Sequence, residues 1–387
     1  MQIKESVLLA PYTTFKIGGP AKFFCLVKDQ FDALQAYEFA AKHQLNTLVL
    51  GGGSNMLISD KGFDGLVMKI ENSGIEILSQ DQDQLSLRVA SGENWDGVVK
   101  FAVKNNWWGM ENLSHIPGST GAIAVQNVGA YGQEAKNVID SVVVFNKETH
   151  EIQSLKKENC GFAYRSSIFN RSQRGKHIIF YINFKLSKTP KPFLSYRDLR
   201  EYFNSQGTTL SVPASPGHLP QMGESNNVLS LTQIREAIIS IRDKKFPFPT
   251  EAKKGNAGSF FKNPILNSDE FEKLKQTIDV NFGTDKSVEL EKKKFSSSSL
   301  PLPLGEGRGE GSQEIKVPAA FLMELCGLKD LKSGGAAINH NQPLVIINET
   351  GMARGSDVLS LANQVKLGVK LKTGIELQFE PELIGFE

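Results

Sequence analysis

The chain has 387 residues, and its 44 lysines and arginines nearly balance its 42 aspartates and glutamates. This balance, with no basic stripe interleaved with aromatic residues, argues against a nucleic-acid groove and favours a small-molecule partner. A chain of this length predicts two or three domains.

The three cysteines, Cys25, Cys160 and Cys326, are far apart and lack CxxC spacing. This argues against a disulfide framework and against a zinc site, and it fits a reducing compartment. Only four apolar residues in a row precede Pro11, and no apolar stretch reaches the roughly 18 residues that a membrane span needs. We therefore expect a cytoplasmic protein.

The first elements along the chain indicate α/β organisation. Hydrophobic periodicity predicts a helix around Phe31 to His43 and a strand from Thr47 to Leu50. The turn Gly51-Gly52-Gly53-Ser54-Asn55 follows, and Gly65 to Met68 indicates another short strand. Together these elements predict a small first domain over residues 1–66.

Residues 67–204 are rich in predicted strands. These lie at Leu85–Ala90, Val142–Phe145 and His177–Phe184, with one helix near Trp95 to Asn105. Glycine-rich turns separate them. A second domain of the α+β class is the simplest interpretation.

Residues 205–229 are rich in Ser, Pro, Gly and Asn and predict a loop between domains. A helix from Leu231 to Arg242 then opens a third domain, which we expect to span 230–375. Within it, residues 287–315 contain a serine run, two prolines and a Gly-Glu-Gly-Arg repeat. We interpret this stretch as a disordered, low-complexity insertion that carries no site.

Packed structure is expected to resume after this insertion. The pattern predicts a helix from Ala319 to Cys326, a strand from Leu344 to Ile347 and a helix from about Ser356 to Lys370. An alternating segment, Ile375 to Leu383, predicts a final strand.

The first glycine-rich turn, GGGSN at 51–55, places backbone N–H groups and a hydroxyl where a pyrophosphate could approach closely. Taken alone, such a glycine-rich sequence is more often an ordinary turn between two strands than a binding site. It is not a Rossmann fingerprint, because Met56 stands where that pattern needs glycine, and the chain has no P-loop motif.

A second segment, Ile116 to Gly132, concentrates small residues over two turns and leaves room for a planar ligand beside the backbone. Alone, it could be a tight packing turn. Two such segments, each after a strand-like run, suit an extended dinucleotide whose pyrophosphate and ring system are held at separate places.

Five motifs in fixed order carry a resemblance to a known family. They are LGGGSNML (50–57), ENLSHIPGSTGAIAVQNVGAYG (111–132), CGFAYRSSIF (160–169), GNAGSFFKNP (255–264) and FEPELIG (379–385). The chain resembles the UDP-N-acetylenolpyruvoylglucosamine reductases, the MurB enzymes, over nearly its whole length. An ordered set of this kind is far more specific than one short pattern.

The resemblance implies an α+β fold in which two subdomains of the vanillyl-alcohol-oxidase type bind FAD and a C-terminal domain binds substrate. The FAD-binding subdomains would be 1–66, joined by the C-terminal segment 376–387, and 67–204. The resemblance implies cofactor contacts from both glycine-rich segments, at Gly51, Gly52, Gly53, Ser54, Asn55, Pro117, Gly118, Ser119, Gly121, Asn127 and Gly129.

The implied reaction is the NADPH-dependent reduction of UDP-N-acetylglucosamine enolpyruvate to UDP-N-acetylmuramate, in peptidoglycan precursor synthesis. This chemistry needs a proton donor, a cation and a carboxyl group beside the flavin. By resemblance these are Ser259, Arg165 and Glu382. Judged singly, they would be a turn serine, a surface arginine and a strand-end charge.

The resemblance also implies a substrate-binding set, in which cations and amides hold a diphosphate and a closing tyrosine excludes water. Its members are Tyr164, Tyr196, Arg242, Lys245, Asn263 and Gln342. No metal is expected, because the six histidines lack HxxxH or HExxH spacing. We expect a monomer.

Two alternatives remain open at this stage. One is a flavin oxidase or dehydrogenase of the wider fold family, which would have no need of Ser259 or of the UDP-binding set. The other is a catalytically silent flavin-binding module, which predicts loss of Arg165, Ser259 or Glu382, although the chain retains all three.

Overall fold

The computed structural model describes residues 1–207, 229–245, 254–296 and 314–386. Contacts divide the chain into two compact units. The first unit is Met1–Val7, Ala21–Gly52 and Phe63–Phe248, and the second is Leu8–Pro20, Gly53–Gly62 and Pro249–Glu387.

The strands of the described residues are, in chain order, β1 (Ile3–Leu8), β2 (Pro20–Val27), β3 (Asn46–Leu50), β4 (Met56–Ile58), β5 (Phe63–Ile70), β6 (Ile75–Gln80), β7 (Gln84–Ala90), β8 (Gly129–Ala130), β9 (Gln133–Glu134), β10 (Ile139–Asn146), β11 (Ile152–Lys156), β12 (His177–Ser187), β13 (Asn256–Ser259), β14 (Ile265–Leu266), β15 (Phe295–Ser296), β16 (Ile315–Lys316), β17 (Lys332–Ser333), β18 (Ala336–Ile338), β19 (Val345–Asn348) and β20 (Glu382–Ile384).

The α-helices of the same residues are α1 (Gln30–Lys42), α2 (Trp95–Lys104), α3 (Thr120–Val125), α4 (Arg197–Ser205), α5 (Leu231–Lys245), α6 (Ser268–Phe282), α7 (Thr284–Lys293), α8 (Ala319–Leu325) and α9 (Gly355–Thr373). The predicted helices therefore all form, with ends shifted by a few residues at most. None of the described helices combines the length and the apolar character that a membrane span would need.

The first unit contains two larger sheets. One has the strand order β1-β2-β5-β3, in which β5 runs parallel to both β2 and β3. Helix α1 covers this sheet and begins at Asp29, whose carboxylate accepts hydrogen bonds from the N–H groups of Phe31 and Asp32. Such an N-cap satisfies backbone donors that the first turn leaves without partners.

The other large sheet of this unit is antiparallel, with the order β11-β10-β12-β7-β6. Its core includes Trp95, Val99 and Ala102, which are fully buried on α2, and Leu87 and Val142 from β7 and β10. The alternation of apolar residues along these strands buries one face, as the sequence pattern predicts.

Helix α5 packs in the first unit, where its residues Leu231, Ile234 and Ile238 join the same core. The sequence instead places the beginning of the C-terminal domain at residue 230. The difference arises because α5 buries an apolar face and also makes a charged contact: Arg235 donates to both carboxylate oxygens of Asp96 at 2.7 Å.

The second unit has its own core and smaller antiparallel sheets. Their strand orders are β13-β19-β18-β17 and β14-β16-β15, while β20 pairs with β4 in parallel. Long helix α9 contributes Val358, Leu361 and Val365 to this core, and it ends at Gly374, which has a left-handed φ of 76°. Glycine adopts that conformation without steric cost, so it stops the helix.

Two sequence expectations are wrong in detail. The predicted strand Ile375–Leu383 is restricted to Glu382–Ile384, because Leu377 is buried in the core without joining a ladder and Pro381 lacks an N–H donor. The insertion does not begin at residue 287, since α7 continues to Lys293 and buries Leu290. Residues 297–313, and residues 208–228 of the predicted interdomain loop, lie outside the described residues.

The Asp96–Arg235 pair gives a stability prediction. Burial alone would raise the pKa of Asp96, but the hydrogen bonds from Arg235 and from the His115 N–H outweigh it and lower that pKa. Asp96→Asn leaves Arg235, which is only 9% exposed, without its counterion. We expect a loss of about 2–3 kcal/mol of unfolding free energy at pH 7, below the full cost for a deeply buried pair.

Denaturant unfolding followed by tryptophan fluorescence measures this loss, because all three tryptophans, at 95, 107 and 108, belong to the first unit. A lowered carboxyl pKa contributes stability above the unfolded pKa of about 3.9, and this stability disappears as pH falls through the folded pKa. The difference between wild type and variant should therefore shrink below about pH 4. Asp64→Asn, which breaks an exposed pair with Lys22, should cost less than about 0.5 kcal/mol; an equal loss in both variants contradicts the prediction.

Candidate active site

The two glycine-rich segments meet within the first unit. The Gly52 N–H donates to the Ser119 Oγ at 3.1 Å. A Cβ on Gly52 would lie 2.5 Å from the Gly118 Cα, and a Cβ on Gly51 would lie 2.5 Å from the Ser119 Oγ. Backbone therefore lies against backbone here, a contact that only glycine permits.

The second segment is fixed by backbone hydrogen bonds next to helix α2. Gly118 accepts from the Trp95 N–H at 3.0 Å, and the Gly121 N–H donates to Ser91 at 2.8 Å. Pro117 precedes this anchored stretch. A Cβ on Gly121 would lie 2.6 Å from the Ser91 Cβ, so this glycine is also required for close packing.

Asn127 holds the second glycine-rich segment to the turn that carries Arg165. Its fully buried side-chain amide donates to Glu134 at 2.9 Å and to the Ala163 carbonyl at 3.0 Å, and its Oδ1 accepts from the Lys136 N–H at 2.9 Å. The structure thus gives this side chain protein partners and a positioning role, whereas the resemblance implies a cofactor contact.

Arg165 lies in a tight turn. Ala163 and Ser166 exchange two backbone hydrogen bonds, at 3.0 and 3.1 Å, so Tyr164 and Arg165 occupy the tip. Arg165 has a φ of 50°, an uncommon value for a residue other than glycine. Its guanidinium lies 5.6 Å from the centre of the Tyr164 ring, and a Cβ on Gly129 would be 3.4 Å from its Nη1.

Tyr196, Arg242 and Lys245, three of the predicted substrate-binding residues, come together in the first unit. The Lys245 Nζ lies 2.7 Å from the Asp198 Oδ2. Arg242 hydrogen-bonds Tyr131, whose ring packs edge-on against Tyr196 with centroids 5.4 Å apart. Burial raises the pKa of Tyr131 to about 12, and Arg242 partly opposes this.

Asn112 is a residue that sequence reasoning missed, although it lies in the second motif. Its amide is fully buried and donates to the Tyr131 carbonyl at 2.9 Å and to the Phe193 carbonyl at 2.8 Å. It thereby joins the GAYG turn to the segment that leads into Tyr196. The signal that could have indicated this role is the position of Asn112 between Glu111 and Leu113, within a motif that is rich in small residues.

The second unit contains the rest of the first glycine-rich turn. Gly53 has a φ of 62°, and a Cβ there would lie 2.1 Å from the Tyr12 carbonyl oxygen. After half-buried Ser54, the Asn55 carbonyl accepts from the Glu382 N–H at 3.0 Å. The turn is thus bonded to the last strand.

Ser259 and Glu382 lie on neighbouring segments of the second unit. Ser259 ends β13 opposite Val345, after Gly258, which has a φ of 73°. The next residue, Phe260, accepts from the Glu380 N–H at 3.0 Å. The motifs that carry the predicted proton donor and carboxylate are therefore hydrogen-bonded to each other.

Asn263 and Gln342 also lie in the second unit. The Asn263 Oδ1 accepts from the Ala319 N–H at 2.9 Å, at the beginning of α8. The Gln342 N–H donates to the Asn339 Oδ1 at 3.0 Å in a turn before β19. Asn263 thus has a capping contact in addition to the substrate contact that the resemblance implies.

Comparison with known proteins identifies the family. A model of the UDP-N-acetylenolpyruvoylglucosamine reductase C-terminal domain matches residues 249–384, and an FAD binding domain model matches residues 21–153. The UDP-N-acetylenolpyruvoylglucosamine reductase of Pseudomonas putida is 32% identical over 383 residues, which is 99% of each chain. The chain belongs to the UDP-N-acetylenolpyruvoylglucosamine reductase family.

Two more members support this assignment. The reductase of this name from Amoebophilus asiaticus is 34% identical over 384 residues, 99% of this chain and 100% of its own. The crystal structure of the reductase from Thermus caldophilus covers 99% of both chains with a TM-score of 0.61 at 21% identity. These comparisons confirm the predicted α+β, FAD-binding fold. They also confirm FAD as the cofactor of this chain.

The residues present fit the cofactor of the reductase family. A Cβ added at Gly51, Gly52 or Gly121 would lie 2.5 or 2.6 Å from a neighbouring protein atom, so backbone packs closely at all three glycines. Glycine-rich segments of this kind are the composition that lets an anion or a flat ring approach peptide N–H groups. That these residues hold FAD stays a prediction, as do the roles of the other predicted site residues.

Gly52→Ala should weaken FAD retention, since its Cβ would lie 2.5 Å from the Gly118 Cα and one of the two loops must move. We expect at least a tenfold rise in the FAD dissociation constant, because about 1.4 kcal/mol of lost binding suffices for a factor of ten. Flavin absorbance per protein and flavin fluorescence on titration measure this change. Gly97→Ala is the control, since its Cβ meets only ordinary contacts at 3.5 and 3.8 Å; equal retention by both variants contradicts the assignment.

Proposed function

We propose that this chain catalyses the reduction of UDP-N-acetylglucosamine enolpyruvate to UDP-N-acetylmuramate by NADPH, as a step of peptidoglycan precursor synthesis. The observation that carries this proposal is similarity to reductases of this name along 99% of the chain, with Arg165, Ser259 and Glu382 present in the motifs that carry the resemblance. FAD held by the glycine-rich segments would supply hydride-transfer chemistry between NADPH and the vinyl carbon of the enolpyruvyl group.

Arg165 stabilises the negative charge that develops on the substrate. Hydride addition to the vinyl carbon leaves an enolate whose charge lies on the adjoining carboxylate. A guanidinium stays charged and offers a planar pair of donors to a carboxylate. The tight turn from Ala163 to Ser166, which is hydrogen-bonded to Asn127, supports this role because it fixes the backbone from which the Arg165 side chain extends.

Ser259 donates the proton to the carbon next to the one that receives hydride. A serine hydroxyl is a weak acid in water, so it acts here only because the enolate is strongly basic and the hydroxyl is held in position. Its half-buried place at the end of β13, after a left-handed glycine, supports a fixed orientation. Proton transfer to this carbon completes the lactyl ether.

Glu382 assists stabilisation of the enolic intermediate. It is half-buried at the beginning of β20, and its N–H donates to the Asn55 carbonyl at 3.0 Å. The nearby Glu380, whose N–H bonds Phe260, is the alternative carboxylate that we do not assign to catalysis. We choose Glu382 because the resemblance assigns the role to the glutamate that directly follows Pro381.

Substrate recognition is assigned to Tyr164, Tyr196, Arg242, Lys245, Asn263 and Gln342. The two cations on α5, Arg242 and Lys245, would bind the diphosphate, and the amide groups of Asn263 and Gln342 would hydrogen-bond the nucleotide. The clustering of Tyr196, Arg242 and Lys245 in the first unit supports a shared role for them. The preference for NADPH, a cytoplasmic location and a monomeric state stay predictions.

The test is stopped-flow absorbance of the flavin band. Purified protein is reduced anaerobically with NADPH and then mixed with UDP-N-acetylglucosamine enolpyruvate. Rapid return of the oxidised band is expected. A flavin that NADPH reduces but that this substrate does not reoxidise would contradict the proposal and favour a flavin oxidase or dehydrogenase that acts on another substrate.

Ser259→Ala separates the two half-reactions. NADPH should reduce its flavin at a rate near that of wild type, because no proton goes to substrate in that step. Reoxidation by substrate should slow about 10²- to 10⁴-fold, the size of a general-acid contribution. Ser360→Ala, an exposed serine on α9, is the control. Equal slowing of both half-reactions contradicts the role of Ser259.

Tyr196→Phe should mainly raise the Michaelis constant for substrate, by about fivefold, the value of one lost hydrogen bond. The hydroxyl would contribute binding common to ground and transition states, so turnover at saturation should change little. Steady-state kinetics on Tyr196→Phe and on the control Tyr202→Phe measures this; Tyr202 lies on α4, the helix that begins directly after Tyr196. A large loss of turnover at saturation would contradict a role limited to binding.

A further inference from the structure

Lys245, the residue that we assign to the diphosphate, already has an anionic partner in the protein. It is the last residue of α5, and its ammonium lies 2.7 Å from the carboxylate of Asp198, in the first turn of α4. The two side chains are 34% and 24% exposed, so a ligand from solvent can reach them. Sequence reasoning did not single out Asp198.

The surroundings tie this ion pair to the other residues assigned to substrate. Asp198 stands two positions after Tyr196, and Tyr131 packs on Tyr196 and hydrogen-bonds Arg242. Burial raises the pKa of both tyrosines, and the negative charge of Asp198 raises each further. The carboxylate therefore acts on the same small region in which a diphosphate would be held.

We propose that Asp198 is a resident counterion of the substrate site, which occupies Lys245 until a diphosphate displaces it. This inference rests on the proposed function, because it takes Lys245 as a diphosphate ligand. A bound diphosphate must break the Lys245–Asp198 pair and then tolerate a carboxylate nearby. Both effects weaken binding of the diphosphate.

The size of the effect follows from the exposure of the pair. Partly exposed ion pairs contribute little to stability, so their loss changes an equilibrium by roughly two- to fivefold. The consequence is a site that binds the nucleotide less tightly than its cations allow, which lets product leave. If Asp198 instead only orients Lys245 for substrate, its removal would weaken binding.

The experiment is calorimetric titration of UDP into the FAD-loaded, oxidised protein. Asp198→Asn keeps the size of the side chain and removes its charge, and we expect the UDP dissociation constant to fall about two- to fivefold. Glu201→Gln is the matched control, because Glu201 lies on the same helix and pairs instead with Arg197. It removes the same charge and should leave the affinity within about twofold, as loss of a single solvated surface pair does.

Lys245→Met separates this inference from the proposed function. If Lys245 holds the diphosphate, this variant should bind UDP more weakly, and adding Asp198→Asn to it should tighten binding less than Asp198→Asn does alone, because only the repulsion by the carboxylate is left to remove. Unchanged affinity in Lys245→Met would contradict the assignment of Lys245 itself. Weaker binding in Lys245→Met together with unchanged or weaker binding in Asp198→Asn would overturn only the counterion role. Asp198→Ser, with the same expectation, replaces Asp198→Asn if the latter does not fold.

Discussion

The arrangement of the first unit depends on the buried amide of Asn127. A buried amide needs partners for its donors and its acceptor, or it destabilises the fold by several kcal/mol. Here the partners are Glu134, the Ala163 carbonyl and the Lys136 N–H. Satisfying one side chain thus fixes three segments at once: a glycine-rich segment, the β9 hairpin end and the turn of Arg165. The position of Arg165, the proposed catalytic cation, is a consequence of hydrogen-bond satisfaction in the core.

Much of this organisation could be predicted from the sequence. Hydrophobic periodicity was sufficient for the helices, since an amphipathic helix such as α2 buries a face that is visible in its pattern. The alternating strands around Val142 and Leu87 were equally clear. The glycines of the two loops could be selected because glycine lets backbone approach a ligand closely; the structure shows Gly52 packed against Gly118, and their contact with a cofactor stays a prediction.

What the sequence did not reveal are pairings between distant positions. Asn112 and Asp198 look like ordinary polar residues, and only the fold brings the first to Phe193 and the second to Lys245. The strand predicted over Ile375–Leu383 was too long for a related reason. Leu377 alternates with polar residues as a strand residue does, yet its side chain is buried without a partner strand. Hydrophobic periodicity in a sequence indicates which side chains are buried, and it indicates only indirectly which strands are paired by hydrogen bonds.

Helix α5 connects the proposed substrate-binding residues to the second glycine-rich segment. Arg235 holds its first half to Asp96, beside Trp95, whose N–H bonds the Gly118 carbonyl. Asp243, one residue from Arg242, lies 2.8 Å from the His115 imidazole, just before the glycine-rich loop. The helix that carries two proposed diphosphate ligands is therefore bonded at both ends to the base of the proposed flavin loop. A displacement of α5 would move its cations and strain that loop together, so substrate affinity and flavin retention should be coupled through this helix.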